Sequence, residues 1–166
     1  MRCFVIMGVA GCGKTSVGEA LANGSKLAFI DGDDLHPPAN IEKMSAGTPL
    51  TDEDRAPWLR LVGEELAKAN GPIAIGCSAL KKTYRDQIIA NAGETVGFVH
   101  LSAPIEVVSE RMSSREGHFM PLALLESQFS ALEPLGVDEG GRVIDIAGTF
   151  DEVVSSARAY ITESMG

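Results

Sequence analysis

Cys3-Phe4-Val5-Ile6-Met7, running straight into Gly8-Val9-Ala10-Gly11-Cys12-Gly13-Lys14-Thr15, is the stretch (residues 3–15) that decides the fold of this chain. The five apolar residues read as a short strand covered on both faces. The next eight match G-x-x-x-x-G-K-[ST], and the spacing predicts a helix opening directly after them. Glycines in such a loop let backbone N–H groups turn inward onto phosphate oxygens. The helix N-terminus adds about half a positive charge at the same place. Gly8 through Thr15 therefore form a candidate ATP cradle. In it Lys14 reaches the β- and γ-phosphates and the Thr15 hydroxyl serves Mg²⁺.

Outward from this loop, short apolar runs alternate with helical patterns. Strands are expected at Cys3–Met7, Leu27–Ile30, Ile73–Cys77, Val96–Leu101 and Val143–Ile146. Helices are expected after Thr51, which can cap with Asp54 in a capping box, after Pro104, and from about Asp151 to Ser164. Trp58, Val62, Leu66 and Ala69 give the first of these an apolar stripe, and Gly71-Pro72 stops it. The alternation predicts an α/β chain, a three-layer P-loop NTPase fold with a five-stranded parallel sheet, as one domain over 1–166. Two stretches fit a sheet-and-helix core less well: about 31–58, rich in Pro, Gly and charge, and about 111–135. They are expected as excursions over the carboxyl edge of the sheet, one for substrate and one as a lid.

Composition narrows the partners. The 166 residues carry a formal net charge of -9, a field that repels nucleic acid and anionic lipid. An anionic substrate then needs a local basic cluster. The cysteines, Cys3, Cys12 and Cys77, are odd in number and lack metal-ligand spacing, so neither disulfides nor structural zinc are expected. Cys12 sits inside the phosphate loop, where a helix terminus lowers a thiol pKa; otherwise it only fills a variable position. The apolar run after Met1-Arg2 is too short for a signal segment or a membrane span, so a cytoplasmic protein is expected.

A phosphate loop announces a nucleotide but not its use. No N-K-x-D motif for reading guanine is present. The second strand ends in Asp31-Gly32-Asp33-Asp34, at the carboxyl edge beside the loop. There Asp31 can hold Mg²⁺ and Asp33 can take a proton from a substrate hydroxyl. Arg111 and Arg115, spaced i,i+4 at the head of the second excursion, suit a lid that lowers guanidinium groups onto phosphates. By position, the loop after Ile146 is the candidate for reading adenine. These features describe a small-molecule kinase with Lys14, Asp33, Arg111 and Arg115 as its catalytic set. They leave open a kinase for another polyol acid or for shikimate, and a non-catalytic ATP-binding switch.

Longer blocks are more specific. Asp31-Gly32-Asp33-Asp34-Leu35-His36-Pro37, Asn40-Ile41-Glu42-Lys43-Met44, Gly47 through Leu59, Cys77-Ser78-Ala79-Leu80-Lys81-Lys82-Thr83-Tyr84-Arg85-Asp86 and Arg115-Glu116-Gly117-His118-Phe119-Met120 resemble, in order, the gluconokinase family. The resemblance runs from the first strand to about Pro134. It implies an adenylate- or shikimate-kinase-like fold, transfer of the ATP γ-phosphoryl group to the 6-hydroxyl of D-gluconate, and a homodimer. By position it implies that Asp33 orients or deprotonates the hydroxyl. It also implies that His36, Arg55, Ser78 and Arg85 line the sugar-acid pocket, and that Arg111 and Arg115 serve the nucleotide. The residues themselves add Lys81, Lys82 and Arg85 as a local positive field, with Arg85 suited to a bidentate carboxylate. Ala10, Cys12 and Thr15 stand where the family often has serines; Thr15 keeps the hydroxyl.

Overall fold

The structure, a computed structural model, describes residues 1–114 and 122–166. Its elements run β1 (Cys3–Met7), α1 (Lys14–Ala22), β2 (Ala28–Asp31), a 3₁₀ turn (Gly32–Leu35), α2 (Pro38–Ser45), α3 (Asp52–Lys68), β3 (Ile73–Gly76), α4 (Lys82–Ala92), β4 (Val96–Ser102), α5 (Ile105–Ser113), α6 (Leu122–Ala131), β5 (Gly141–Asp145) and α7 (Phe150–Met165). Five strands form one sheet in the order β2-β3-β1-β4-β5, and every pairing is parallel. β1 is central, with Cys3 opposite Ile73 on one side and Val96 on the other. All five of its residues are buried. The loop that leaves β1 therefore emerges over the middle of the sheet's carboxyl edge, where open α/β sheets bind ligands.

Two cores flank the sheet. Phe4, Ile6, Val99 and Leu101 face a cluster with Val17 and Leu21 of α1, Val108 of α5, Leu125 of α6 and Ala157 and Ile161 of α7. Val5, Met7, Ile75 and Phe98 face Trp58, Val62 and Leu66 of α3 and Ile88 of α4. This is the expected three-layer arrangement, and the alternation along β1 assigns its side chains to the two layers. α3 and α4 pack unusually closely: a Cβ at Gly63 would lie 2.6 Å from Asn91 Cβ and 2.7 Å from the Ile88 carbonyl.

Local signals set the helix ends. The Asp54 amide donates to Thr51 Oγ1 (3.1 Å) and the Thr51 amide to Asp54 Oδ2 (2.9 Å), so the expected capping box forms. Strand ends shift from expectation because the ladder, not composition, sets them. β2 ends at Asp31, opposite Gly76, and β5 begins at Gly141, opposite Phe98. The stretch 31–58 holds more helix than its Pro and Gly content suggests, namely the 3₁₀ turn, α2 and the start of α3. The second excursion contains α6, which no sequence pattern announces; Leu125, 2% exposed, anchors it in the core. Among the described residues no helix is long and apolar enough to cross a membrane.

Candidate active site

The phosphate loop takes the conformation its glycines permit. Gly8, Gly11 and Gly13 have φ of +143°, +80° and +95°, a region costly for residues with a Cβ. At Gly8 space is also short: a Cβ would lie 2.7 Å from the Leu101 carbonyl oxygen. Lys14 Nζ spans the loop and donates to the Gly8 and Val9 carbonyls, 3.0 Å each. Cys12 is 2% exposed and its Sγ lies 3.9 Å from Lys14 Nζ. The thiol thus packs under the loop instead of opening to solvent. All three cysteines are free and buried, and burial pushes Cys77 up to about 12.

A hydrogen-bonded chain joins the loop to the acidic turn. Thr15 Oγ1 donates to Asp31 Oδ2 (3.1 Å), and Asp31 Oδ1 accepts from the Asp33 amide (3.0 Å). Asp31 thereby ties Thr15 to the 3₁₀ turn and fixes where Asp33 stands. Gly32 permits this closeness, because a Cβ there would lie 2.2 Å from the Gly76 carbonyl oxygen. Loss of surrounding water, and then the neighbouring Asp31 carboxylate, raise the Asp33 pKa above the usual aspartate value, against the pull of Lys14. A carboxylate so placed is a stronger proton acceptor than an isolated one.

The Thr15 and Asp31 oxygens, 3.1 Å apart, suit a hard divalent cation. Among the described residues no group of three or more His, Cys, Asp or Glu could hold a metal unaided. A hydroxyl and one carboxylate, completed by phosphate oxygens and water, is a donor set that fits Mg²⁺.

Beneath the acidic turn lies a rigid floor. Trp58 Nε1 donates to the Gly32 carbonyl (2.8 Å), and the His36 ring stacks on Trp58 with centroids 4.1 Å apart. Trp58 is 3% exposed and His36 9%, so Trp58 is core, as its stripe suggests, and supports the turn from below. Burial first, and then the charge of Arg55, lower the His36 pKa. Its Nδ1 faces the Asn40 side-chain nitrogen at 3.2 Å. Asn40 Nδ2 can only donate, so Nδ1 is the acceptor and Nε2 carries the proton.

Of the expected basic cluster of Lys81, Lys82 and Arg85, only Lys81 joins a group of cations here, with Arg55 around Tyr84, a residue that sequence reasoning misses. Tyr84 carries the Arg55 guanidinium over its ring at 5.6 Å and the Lys81 ammonium at 5.5 Å. Its hydroxyl donates to Asp52, which also pairs with Lys81 at 3.4 Å. Arg55 further donates to the Leu50 carbonyl at 2.7 Å. The signal that could have found Tyr84 is its place between Lys81 and Arg85, as a ring flanked by cations. Lys82 instead pairs with Asp86 (3.1 Å) one turn on, a solvated helix start.

Arg85 departs from expectation. It is fully buried, and its carboxylate partner is internal: Nε and Nη2 donate to Glu139 at 2.6 and 3.1 Å. Nη1 donates to the Ala79 and Leu80 carbonyls (2.9 and 3.2 Å) and Nη2 to the Pro134 carbonyl (3.4 Å). A guanidinium has five N–H donors, and all five are engaged, so none remains for a sugar acid. Arg85 instead braces the loop after β3, where Ala79 is held at a φ of +45° and the Ser78 carbonyl accepts from the Gly8 amide (3.2 Å). Ser78 thus stands beside the phosphate loop, half-buried.

On the other side of that loop a cleft of about 570 Å³ is walled by Gly11–Gly13, Ser16 and Val17, Arg111 and Ser114, and Ile146, Phe150 and Val153. Arg111 donates to the Ile146 carbonyl, which fixes its guanidinium at the rim. Phe150, 50% exposed, presents its ring there. The cleft thus reaches the loop after Ile146, the expected place for adenine; Phe150 has no sequence signal of its own. Arg115 and His118 lie outside the described residues, so Arg111 alone of the lid pair is placed.

This chain is similar to known proteins over most of its length. The shikimate kinase family model matches residues 10–133. The thermosensitive gluconokinase of Escherichia coli (strain K12) is 48% identical over 162 residues, covering 95% of this chain and 86% of that protein. The gluconokinase of Gluconobacter oxydans (strain 621H) is 47% identical over 150 residues, 89% and 83% of the two chains. Among solved structures, a gluconokinase from Sinorhizobium meliloti 1021 superposes with a TM-score of 0.90 at 46% identity, over 98% of this chain and 92% of the other.

Proposed function

Because this chain belongs to the gluconokinase family, we propose that it transfers the γ-phosphoryl group of ATP to the 6-hydroxyl of D-gluconate, giving 6-phospho-D-gluconate and ADP. The observation that carries the chemistry is the Thr15–Asp31–Asp33 chain. It sets a proton acceptor a fixed step beyond the phosphate loop, as an alcohol acceptor requires.

The triphosphate lies in the loop of Gly8 to Thr15, on the amides that are not already taken by Ser78 and Gln128, with Lys14 leaving the Gly8 and Val9 carbonyls for phosphate oxygens. Thr15 and Asp31 would hold Mg²⁺, which would offset the negative charge of the triphosphate. Asp33 accepts the proton of the 6-hydroxyl as that oxygen attacks in line. Its raised pKa strengthens it as a base. Arg55 and Lys81, on the two flanks of Tyr84, attract the gluconate carboxylate against the acidic field of the protein, and Ser78 and the protonated Nε2 of His36 offer hydrogen bonds to its hydroxyls. The adenine enters the cleft between Arg111 and Phe150. Arg111, with Arg115 from the lid, serves the phosphates. Free, buried thiols and an ATP substrate favour a cytoplasmic setting, and a homodimer is the assembly the family resemblance suggests.

A coupled ADP-release assay with D-gluconate as sole acceptor tests the reading. Turnover with gluconate well above that with shikimate or other sugar acids is expected. ADP release that does not depend on gluconate overturns the substrate, and absence of any acceptor-dependent turnover overturns the kinase reading in favour of a nucleotide-binding switch.

A further inference from the structure

One side-chain contact to the phosphate loop comes from outside both the loop and the acidic turn. The Ala10 amide, third in G-x-x-x-x-G-K-T, donates to the side-chain oxygen of Gln128 at 2.7 Å. Gln128 lies on α6, 118 residues away along the chain. It is held there by neighbours on its own helix: Leu125, one turn earlier, is buried in the core, and Phe129 packs against the same cluster. A half-buried side chain on an anchored helix is thus delivered to the loop with little freedom of its own.

The chemistry of the contact fixes which way the carboxamide is turned. A backbone N–H only donates, so the oxygen must face Ala10 and the –NH₂ must face away from it. Among the described residues Nε2 has no hydrogen-bond acceptor, although Oε1 has a short and well-defined donor. Lys14 Nζ sits on the carbonyls of Gly8 and Val9, immediately before Ala10. One cation and one side-chain carboxamide from different parts of the chain therefore converge on residues 8–10 of the loop. A terminal phosphoryl group drawn there by Lys14 would approach the part of the loop that Gln128 touches.

We propose that Gln128 is a further phosphoryl-binding residue. Its oxygen is anchored by the Ala10 amide, and its –NH₂ donates to an oxygen of the γ-phosphoryl group. The residue would then read ATP against ADP and join α6, which follows the lid segment, to the presence of the group to be transferred. This inference rests on the phosphotransfer reading above but not on gluconate as the acceptor.

Glu is the informative replacement. Gln128→Glu keeps an oxygen for the Ala10 amide and the same shape, but replaces the donor with a negatively charged acceptor. Gln128→Ala removes both ends. Binding of ADP and of a non-hydrolysable ATP analogue is measured by calorimetry with Mg²⁺, alongside steady-state kinetics and thermal unfolding. For Gln128→Glu the expected result is ADP affinity within about twofold of wild type, ATP-analogue affinity lowered about tenfold or more, and kcat lowered about 10²- to 10³-fold, the scale of losing one oriented donor at a developing charge. Unfolding should stay within about 2 °C. Equal weakening of ADP and ATP analogue would show that Gln128 only shapes the loop, and an unchanged ATP-to-ADP ratio or kcat would show that it does not meet the phosphoryl group; either overturns the proposal. Should Gln128→Glu fail to fold, the same ATP-to-ADP ratio read on Gln128→Ala decides. A wild-type enzyme that discriminates ATP from ADP yet leaves gluconate untouched would sink the substrate assignment and spare this one.

Discussion

Glu139→Gln probes the reassignment of Arg85 from ligand binding to architecture. The Arg85 side chain is fully buried and that of Glu139 is 4% exposed, with the closer ion-pair contact at 2.6 Å. The substitution preserves volume and one acceptor oxygen but leaves a buried guanidinium without its counter-charge. Removing one partner of a buried pair costs about 3–5 kcal/mol. In a chain of this length each kcal/mol moves Tm by about 2–4 °C, so a fall of about 6–20 °C follows, toward the lower end because the glutamine oxygen still accepts one hydrogen bond. The assay is calorimetric or fluorescence-monitored unfolding at neutral pH, repeated in acid. Arg85 hydrogen bonding first, and then the Gly136 amide, hold the Glu139 pKa below its usual 4.5, despite partial burial. The wild type therefore has the full contribution above about pH 4.5 and loses it as pH falls through the lowered native value. The gap in Tm between wild type and variant should narrow in acid. Replacing both partners by apolar residues of similar size, Arg85→Met with Glu139→Leu, should recover much of the loss. A Tm for Glu139→Gln within about 2 °C of wild type would refute the brace and return Arg85 to the substrate pocket.

Asp33→Asn should lower kcat by at least about 10²-fold while ATP binding is kept, as loss of a general base predicts; turnover within about tenfold of wild type removes Asp33 from that role. Because its pKa is raised above 3.8, kcat/KM of the wild type should fall with acid through a limb above the usual aspartate value, and the Asn variant should lack that limb. Phe150→Ala should raise KM for ATP several-fold and leave KM for gluconate unchanged, since the ring borders the nucleotide cleft alone; equal changes in both would place it elsewhere. Gly63→Val should destabilise by about 1–3 kcal/mol through the clash of α3 with α4, read by urea unfolding, with kcat of the folded fraction unaltered.

The site is assembled by tethers that differ in reach. Asp31 is placed by its own strand, and its contact with Thr15 follows wherever β2 runs beside β3, one strand away from β1. The acidic turn depends on a more distant support, Trp58 under the Gly32 carbonyl. The loop after β3 depends on a still more distant one, the Arg85–Glu139 pair spanning 54 residues. Substitutions at Trp58 or Glu139 therefore touch no substrate and still act on catalytic geometry. A misplacement of the order of 1 Å at reacting groups is costly.

What the chain spells out locally is legible from residue order alone. The strand and phosphate loop of residues 3–15, the carboxylates closing the second strand, and the Thr51–Asp54 capping box each rest on contacts between near neighbours. For these, residue type and spacing already state the physics. The five-strand parallel sheet follows from the same logic, since alternating short apolar runs and helices have few ways to bury themselves. Tertiary structure alone decides which partner each long polar side chain takes. Arg85 has the chemistry to bind a sugar acid, yet Glu139 reaches it first in a desolvated pocket. Gln128 has no motif at all until α6 carries it to the Ala10 amide. A charged or amide group will pair with whichever complementary group the fold brings within about 3 Å, and that distance is set by packing across the whole domain rather than by sequence neighbours.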